Sequence, residues 1–443
     1  MGEAYCKSNR PGSSPGARPP PDYSACNVLC GGSRPRGMTG APAKAAVGEV
    51  AGRVVKRPRS APAAAEFFSG IGLARMGLEA AGFSVVWAND IDAKKRAMYA
   101  GQFGQEGAVR LDPRDVKAVS GSDLPAGLAL AWASFPCTDL SLAGGRDGLG
   151  GRESGTFWEF VRVLREMGDA RPPAVALENV VGLGNSMGGR DLVAIGRALN
   201  DLGYSVDALV LDARRWVPQS RPRLFVIGAA APPPDTPRMF DQLRPGWLRG
   251  FFSDPGLRTH RALLPEPPEP LDDGLSSLAD RLPQADPSWW PPRLVEAFVG
   301  SLSTVQRRRL EELRDSPSPV WRTAYRRTRR GVAVWEIRPE DVAGCLRTAR
   351  GGSSRQAVLE ISHGSLRVRW MTPREYARLM GAGDYRLEGS SDNQLRTGFG
   401  DAVCVPAVKW LAVHYLRPLA LGRFRRPDRR AAVRDRAAMG VGR

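Results

Sequence analysis

A short stretch decides the fold, and it reads Ala63-Ala64-Ala65-Glu66-Phe67-Phe68-Ser69-Gly70-Ile71-Gly72-Leu73. Its first half is an apolar run bounded by turn residues, which is typical of a buried parallel strand. A Gly-x-Gly turn follows, and from Leu73 to Ala81 the apolar residues recur at three- and four-residue intervals, as on one face of a helix. The stretch predicts a strand, a tight turn and a helix in immediate succession.

The same alternation continues toward the carboxyl end. Apolar runs predict strands at 63–68, 84–88, 128–134, 174–177 and 224–229, and helical spacing predicts helices at 73–81, 93–102, 156–167 and 191–202. Repeated strand–helix units build a parallel sheet through right-handed crossovers, with helices on both faces. We therefore expect an α/β fold with a doubly wound, mostly parallel sheet.

Both ends of the 443-residue chain differ from its middle in composition and charge. Residues 1–60 hold ten Lys and Arg against three Asp and Glu, and residues 417–443 hold nine Arg against two Asp. We expect disordered basic tails at 1–60 and 421–443, which carry most of the formal charge of +18. Such tails attract nucleic acid without specificity, but a solvated tail with no dedicated role also fits this pattern.

Several classes of protein are disfavoured by what the sequence lacks. No apolar run is long enough to span a membrane and the amino end has no signal-peptide core, so we expect a soluble, cytoplasmic protein. The six cysteines, at 6, 26, 30, 137, 345 and 404, show no paired spacing that would build a zinc site or a disulfide framework. We expect reduced thiols and no metal.

Acidic residues near the ends of the next predicted strands indicate what the glycine turn binds. Asp90 ends the second strand, where a carboxylate accepts hydrogen bonds from ribose hydroxyls, and Asp115 follows at the next strand–loop position, where it would accept from an adenine amino group. No third glycine completes a dinucleotide fingerprint, so a smaller nucleoside fits better. The alternative is an ordinary tight turn in which each carboxylate caps a turn or a helix.

A cysteine stands where another strand is expected to end. The run is Ala131-Trp132-Ala133-Ser134-Phe135-Pro136-Cys137-Thr138-Asp139-Leu140-Ser141. Proline restricts its own φ and the residue before it, so the thiol of Cys137 is held in one orientation at the edge where open α/β sheets bind ligands. Cys137 is therefore a candidate nucleophile, although an isolated cysteine is more often a small buried apolar residue.

Five blocks, in a fixed order, resemble those of the cytosine-5 DNA methyltransferases. They are Phe68-Ser69-Gly70-Ile71-Gly72, Phe135-Pro136-Cys137-Thr138-Asp139-Leu140-Ser141, Glu178-Asn179-Val180, Gln219-Ser220-Arg221-Pro222-Arg223 and Val403-Cys404-Val405-Pro406. Any one block can arise by chance, but the ordered set, within 63–230 and 366–412, is very specific. The resemblance implies a Rossmann-like methyltransferase fold, S-adenosylmethionine as cofactor, and methyl transfer to carbon 5 of cytosine in double-stranded DNA.

The resemblance also implies catalytic roles, and the chemistry explains them. Carbon 5 of cytosine is a poor nucleophile until a thiolate adds to carbon 6, so Cys137 is expected to form the covalent adduct. Glu178 is expected to donate a proton or hydrogen bond at ring nitrogen 3. Arg221 and Arg223 are expected to contact the base carbonyl or a phosphate, and Gln219 to contact DNA or brace its loop.

Further residues are assigned to the cofactor pocket: Phe68, Ser69, Gly70, Gly72, Asp90, Ile91, Asp115, Val116, Pro136, Asp401 and Val403. Two of them depart from the family pattern. Asp90 replaces a longer glutamate, and Asp401 replaces an asparagine, which puts an acceptor where an amide donor is usual. Neither change touches the thiol or the catalytic carboxylate, so we expect activity.

The composition changes between the two matched regions. Residues 231–365 contain proline runs, tryptophans and a segment, 304–330, with nine Arg against three Asp and Glu. We expect a target-recognition domain there, between a catalytic and cofactor-binding domain at 61–230 and a segment at 366–420 that returns to it. Expected DNA contacts are Arg146 and Arg152, in a glycine-rich loop after Cys137 that closes over a flipped base, and Arg347, Arg350 and Arg355 in a glycine-rich recognition segment.

Three functions remain open on the sequence alone. The first is a DNA cytosine-5 methyltransferase, acting alone or beside a restriction endonuclease for the same site. The others are an RNA cytosine-5 methyltransferase on the same core and a non-catalytic DNA-binding protein. The basic, aromatic insert favours duplex DNA, and the intact Cys137, Glu178 and Arg223 disfavour an inactive core. We expect a monomer, because no coiled coil or exposed apolar stripe is evident.

Overall fold

The computed structural model describes residues 61–104, 109–136, 155–236, 241–329, 331–348 and 355–424. The expected tail at 1–60 and all but the first residues of the tail at 421–443 lie outside these ranges. Within them, no helix combines the length and the apolar character needed to cross a bilayer.

Seven strands form the first sheet, in the order β3-β2-β1-β4-β5-β7-β6. Their bounds are β1 Ala63–Phe67, β2 Ser84–Asn89, β3 Arg110–Asp112, β4 Leu130–Ala133, β5 Ala174–Val180, β6 Ser205–Asp212 and β7 Pro222–Ala229. The first five strands in this order, β3, β2, β1, β4 and β5, pair with one another in parallel, whereas β7 is antiparallel to both β5 and β6. The predicted α/β fold with a mostly parallel sheet is confirmed.

Helices cover both faces of this sheet, because its strands are apolar on both sides. The first four are α1 Leu73–Ala80, α2 Ala93–Phe103, α3 Thr156–Glu166 and α4 Arg190–Asp201. Phe160 of α3 and Ile195 of α4 belong to the core on one face. Leu78 of α1 packs on the other face with Val408, which belongs to a helix near the end of the described chain.

A second sheet of four antiparallel strands, in the order β11-β10-β8-β9, has its own apolar core. The strands are β8 Val320–Arg329, β9 Val332–Ile337, β10 Ala357–Ser362 and β11 Ser365–Trp370. The helices that precede it in the chain are α5 Arg249–Phe252, α6 Pro292–Gly300 and α7 Thr304–Arg314. Phe298 of α6 and Leu310 of α7 pack against this sheet.

The chain then returns to the first sheet. The returning elements are α8 Pro373–Leu379, α9 Asp392–Asp401, α10 Val405–Leu411, a π-helical turn Ala412–Leu416 and α11 Arg417–Ala420. The buried hydroxyl of Tyr385, between α8 and α9, lies 2.9 Å from the carbonyl O of Ile71 and 3.0 Å from that of Met98. The returning segment is thereby joined to the glycine turn after β1.

The structure differs from the sequence-based prediction at the sheet edges and at two boundaries. The edge strands β3 and β6 were not predicted, because β3 is only three residues long and β6 carries the fully buried Asp207 within its apolar run. The expected boundary at residue 365 is too early, because β11 pairs with β10 as far as Trp370. Leu248 and Phe251 lie in the expected recognition region, yet they pack in the core of the first sheet.

Candidate active site

Backbone hydrogen bonds hold the turn after β1 against the end of β2. The amide N of Gly70 donates to Oδ2 of Asp90 (2.8 Å), and the amide N of Ser69 donates to the carbonyl O of Asn89 (2.8 Å). Oδ1 of Asp90 accepts from the amide N of Asp92 (2.8 Å). Burial raises the pKa of Asp90, although these amides and a nearby lysine favour its ionised form. Each carboxylate oxygen keeps a lone pair for a further donor.

The turn has the features that a nucleoside cofactor requires. Gly70 has φ +56, and among the described residues a Cβ at this position would meet no atom within 4 Å, so this part of the structure leaves space beside the turn. Oγ of Ser69 is buried and has no hydrogen-bond partner within the described residues, which is unusual for a buried hydroxyl. Ile91, next to Asp90, is 65% exposed and offers an apolar surface to a planar ring. These residues fit the expected cofactor.

Gly72 serves a different purpose in the same turn. Its φ is +83, and an added Cβ would lie 2.4 Å from the ring of Phe103 and 2.9 Å from that of Tyr99. Phe68 also has a positive φ, of 55°. Gly72 is therefore required for close packing of the turn against α2.

The end of β3 departs from the prediction. Asp112 ends this strand, and a hydrogen-bonded ion pair with Arg114 (2.5 Å) lowers the pKa of its carboxyl group. Asp115 caps the 3-10 turn Val116–Ala118 by accepting from an amide N at 3.0 Å. Val116 is 3% exposed and packs in the core. Asp115 thus caps this turn through Oδ1, and the expected cofactor contacts of Asp115 and Val116 stay predictions.

Glu178 and Arg223 form an ion pair at the carboxyl end of β5. They lie on adjacent antiparallel strands, because β7 pairs with β5. Nε of Arg223 is 3.1 Å from Oε1 of Glu178, and the two side chains are 13% and 8% exposed, respectively. The fold thus brings together one residue from each of two separate sequence blocks.

Asn179 connects this pair to the strand that leads to Cys137. Its Nδ2 donates to the carbonyl O of Phe135 (3.1 Å), and its Oδ1 accepts from the amide N of Val180 (2.8 Å). Pro136 is half-buried directly after this contact. Cys137 itself lies outside the described residues, but the chain that delivers it is fixed beside Glu178.

Arg221 is a brace inside the protein. It is 2% exposed, and its Nη1 donates to the carbonyl O of Leu346 (2.7 Å) while its Nη2 donates to those of Gly400 (3.0 Å) and Ala402 (2.5 Å). Burial lowers the pKa of Arg221, and the neighbouring Arg223 adds to this effect. The expectation that Arg221 contacts the base or a phosphate is corrected, because its donors are directed to backbone carbonyls.

Gln219 is also internal. Its side chain is fully buried, with Nε2 donating to the carbonyl O of Leu379 (2.6 Å) and Oε1 accepting from the amide N of Leu346 (3.0 Å). The expected DNA contact of Gln219 is therefore corrected, since both polar ends are used within the fold. Gln219 braces its loop against the recognition segment.

Cys345 is a site residue that the sequence did not reveal, because it belongs to no recognised block. Its Sγ lies 3.3 Å from Nη1 of Arg221 and 3.8 Å from Nη2 of Arg223. Burial alone would raise the pKa of the Cys345 thiol, but the two guanidinium groups hold it below its ordinary value. The thiol therefore lies at the edge of the acid–arginine pair.

The expected DNA-contacting arginines fall into two groups. Arg347 is exposed on the segment that follows Cys345. The guanidinium of Arg355 lies 4.4 Å from the ring centroid of Trp370, a cation–π contact. Arg146, Arg152 and Arg350 lie outside the described residues.

At the end of α9, Asp401 has two partners. Nζ of Lys95 lies 2.8 Å from its Oδ2, and the hydroxyl of Thr348 donates to its Oδ1. Val403 is 5% exposed and packs in the core beneath α1. Lys95 was not predicted, because no motif marks it. Within the described residues, no group of three or more side chains is arranged to hold a metal ion.

The open edge of this parallel sheet carries a glycine turn, a carboxylate at the end of the next strand and a separate acid–arginine pair, an arrangement typical of Rossmann-like enzymes that use a nucleoside cofactor. Residues 63–416 match the model of the C-5 cytosine-specific DNA methylases, and the chain belongs to this family. It is a DNA cytosine-5 methyltransferase, as the ordered sequence blocks predict.

The relatives agree with this assignment. The type II methyltransferase M.HpaII of Haemophilus parainfluenzae is 26% identical over 78% of this chain and 86% of its own length. M.Bsp6I of Bacillus sp. (strain RFL6) is 32% identical, over 37% of this chain and about half (51%) of its own length. The structure of the methyltransferase EhMeth of Entamoeba histolytica superposes with a TM-score of 0.55 at 14% identity, covering 83% of this chain and 100% of that one, which shows the common fold.

Proposed function

We propose that this enzyme methylates carbon 5 of a cytosine flipped out of a specific duplex DNA sequence, through a covalent adduct of Cys137 at carbon 6. The proposal rests above all on the Glu178–Arg223 pair, which lies beside the strand end that leads to Cys137. Thiolate addition drives electron density onto ring nitrogen 3, and an acid at this place stabilises the adduct by donating a proton or a hydrogen bond to that nitrogen.

Each residue of the pair has a separate task. Glu178 donates to ring nitrogen 3 as the bond between Sγ of Cys137 and carbon 6 forms. Arg223 orients the Glu178 carboxyl group, and its guanidinium group is proposed to contact the carbonyl oxygen of the base. After methyl transfer, a base, for which we propose an ordered water, removes the proton from carbon 5. The thiolate then leaves carbon 6 by elimination, and the proton at ring nitrogen 3 returns to Glu178.

The cofactor is proposed to be S-adenosylmethionine, which supplies an electrophilic methyl group when bound. Asp90 accepts from its ribose hydroxyls, Ile91 packs against its adenine ring, and Ser69 and Gly70 line the turn beside it. Phe68, Gly72, Pro136, Asp401 and Val403 support this pocket from its sides.

We assign the second sheet, with α6 and α7, as the target-recognition domain. Base flipping costs a few kcal/mol, which contacts to the DNA backbone offset. Arg347 and Arg355, together with Arg146, Arg152 and Arg350, are proposed to supply such contacts. We further propose a monomer that acts in the cytoplasm beside a restriction endonuclease for the same sequence.

Three measurements test the proposal. Purified protein and labelled cofactor are expected to methylate duplex DNA and not tRNA, and bisulfite sequencing of DNA from expressing cells identifies the target. Cys137→Ala is expected to abolish the transfer, whereas Cys26→Ser, outside the matched residues 63–416, is expected to leave it unchanged. Duplex DNA containing 5-fluorocytosine is expected to trap the wild-type protein at Cys137, and activity that survives Cys137→Ala would contradict the mechanism.

A further inference from the structure

Lys95 is a partly buried cation that pairs with Asp401 and is attracted by Asp90 and Asp92. It lies in the first turn of α2, with its side chain 22% exposed and its Nζ 2.8 Å from Oδ2 of Asp401. Burial alone would lower the pKa of Lys95, but Asp401 and, to a smaller degree, Asp90 raise it, so the side chain is charged. The same attraction favours the ionised form of Asp90.

The position of this cation is set by elements that enclose the glycine turn. Asp401 ends α9, and a Cβ added to Gly398 of that helix would lie 2.8 Å from Ile71 and 3.0 Å from Met98, so α9 packs closely on the turn and on α2. Asp92, which caps α2, donates its amide N to Asp90. Lys95 therefore lies where the turn, α2 and the returning segment meet.

Asp90 can only accept hydrogen bonds from a ribose, and part of its acceptor capacity is already used. Its carboxylate already accepts from the amides of Gly70 and Asp92 at 2.8 Å each. An ammonium group carries three N–H donors, and the contact with Asp401 uses one of them. A hydroxyl group can donate to Asp90 and accept from Lys95 at the same time, which satisfies both partners.

We propose that Lys95 is a cofactor-binding residue, whose ammonium group donates to a ribose hydroxyl that is also bound by Asp90. Asp401 then acts as the counter-charge that holds the lysine in place, in a chain that has the shorter Asp90 instead of glutamate and Asp401 instead of asparagine. The inference rests on the proposed cofactor and adds to it a residue that no sequence block contains.

Calorimetric binding tests this inference without DNA and without turnover. The probes are S-adenosylhomocysteine and 5′-methylthioadenosine, which keeps the ribose and lacks the amino-acid part. Lys95→Met is expected to weaken both by about 10-fold, the loss that one charge-assisted hydrogen bond implies. Lys94→Met, at the adjacent exposed lysine, is the matched control and is expected to bind as wild type.

The other outcomes have distinct meanings. Weakened binding of S-adenosylhomocysteine alone would overturn the ribose contact, and unchanged binding of both probes would overturn the role of Lys95. If Lys95 served only to separate two carboxylates, Asp401→Asn added to Lys95→Met would restore wild-type affinity; the proposal predicts that the double variant stays weak. A wild-type protein that binds neither probe would instead contradict the proposed cofactor.

Discussion

Two arginine–carboxylate pairs involve carboxylates of the first sheet, and they differ in how fully those carboxylates are used. Asp207 lies on β6 and Glu178 on β5, with β7 between the two strands. Asp207 is completely buried and accepts from Nε and Nη2 of Arg244 (2.9 and 2.6 Å), from the hydroxyl of Tyr415 (2.9 Å) and from the amide N of Ala262 (3.2 Å). Glu178 in the described part of the chain contacts one cation, Nε of Arg223, at 3.1 Å.

This difference in hydrogen bonding indicates different roles for Asp207 and Glu178. A buried ion pair is tolerated when further hydrogen bonds satisfy both ions, and the pair around Asp207 meets this condition while joining the π-helical turn to β6. Glu178 has acceptor or donor capacity left, at the edge where the reacting base is proposed to enter. The hydrogen bonds of Asp207 are used within the fold, whereas Glu178 keeps capacity for the proposed contact with the base.

The largest expected effect is a loss of activity when Glu178, of the pair with Arg223, is changed. Glu178→Gln should lower kcat by about 10²- to 10⁴-fold, because the amide keeps the shape and loses the acidic proton. Thermal unfolding should change little, since Arg223 keeps an oxygen acceptor. Steady-state methyl transfer and a melting curve on the same preparation give both readouts. A large loss of stability with activity per folded molecule intact would assign Glu178 to the fold instead.

The reverse behaviour is expected at the pair of Asp207 and Arg244. Asp207→Ala should destabilise the protein by roughly 3–5 kcal/mol, because the buried Arg244 loses its fully buried counter-charge and keeps the more exposed Asp241 at 3.2 Å. Activity per folded molecule should remain close to wild type. Denaturant unfolding measures the loss, and adding Arg244→Met should recover part of it. If the double variant were no more stable than Asp207→Ala, the loss of this counter-charge would not be the cause.

A third carboxylate sharpens the contrast through its pH dependence. Glu66, 1% exposed on β1, has an Oε2 without a hydrogen-bond partner in the described residues, and burial raises its pKa to about 8. Between pH 4.5, the ordinary pKa of a glutamate, and about pH 8, Glu66 is ionised in the unfolded chain but keeps its proton in the folded protein. The stability of the folded protein therefore falls as the pH rises through this range.

Glu66→Gln removes this titration. Relative to wild type, the free energy of unfolding of the variant should rise by on the order of 1–2 kcal/mol from pH 5 to pH 8. This is less than the full pKa shift implies, because the protein around Glu66 can relax when the carboxylate ionises. Denaturant unfolding at both pH values measures the gain. If the difference in free energy of unfolding between wild type and variant stayed constant with pH, Glu66 would be ionised in the folded protein as well.

Much of the site was predictable, because its blocks carry their own local signals. Gly70 and Gly72 predict the turn, Asp90 ends a recognisable strand, and the ordered blocks predict that Glu178 and Arg223 belong together. Asp115 shows the limit, since a carboxylate before a short turn looks the same whether it caps the turn or binds a ligand. The edge strands were missed because pairing with neighbours, and not the apolar pattern, makes them strands.

By itself the sequence determined the α/β class, because strand and helix periodicity is a local property of the chain, and its ordered blocks identified the family. Only the tertiary structure decided which polar residues of those blocks are buried inside the protein. Arg221 and Gln219 stand in the same block as Arg223, yet the fold buries them against carbonyls and amides from distant segments. Lys95 and Asp401 became partners only because α9 packs against α2. Burial and long-range pairing depend on how the chain closes on itself, and no local pattern records this.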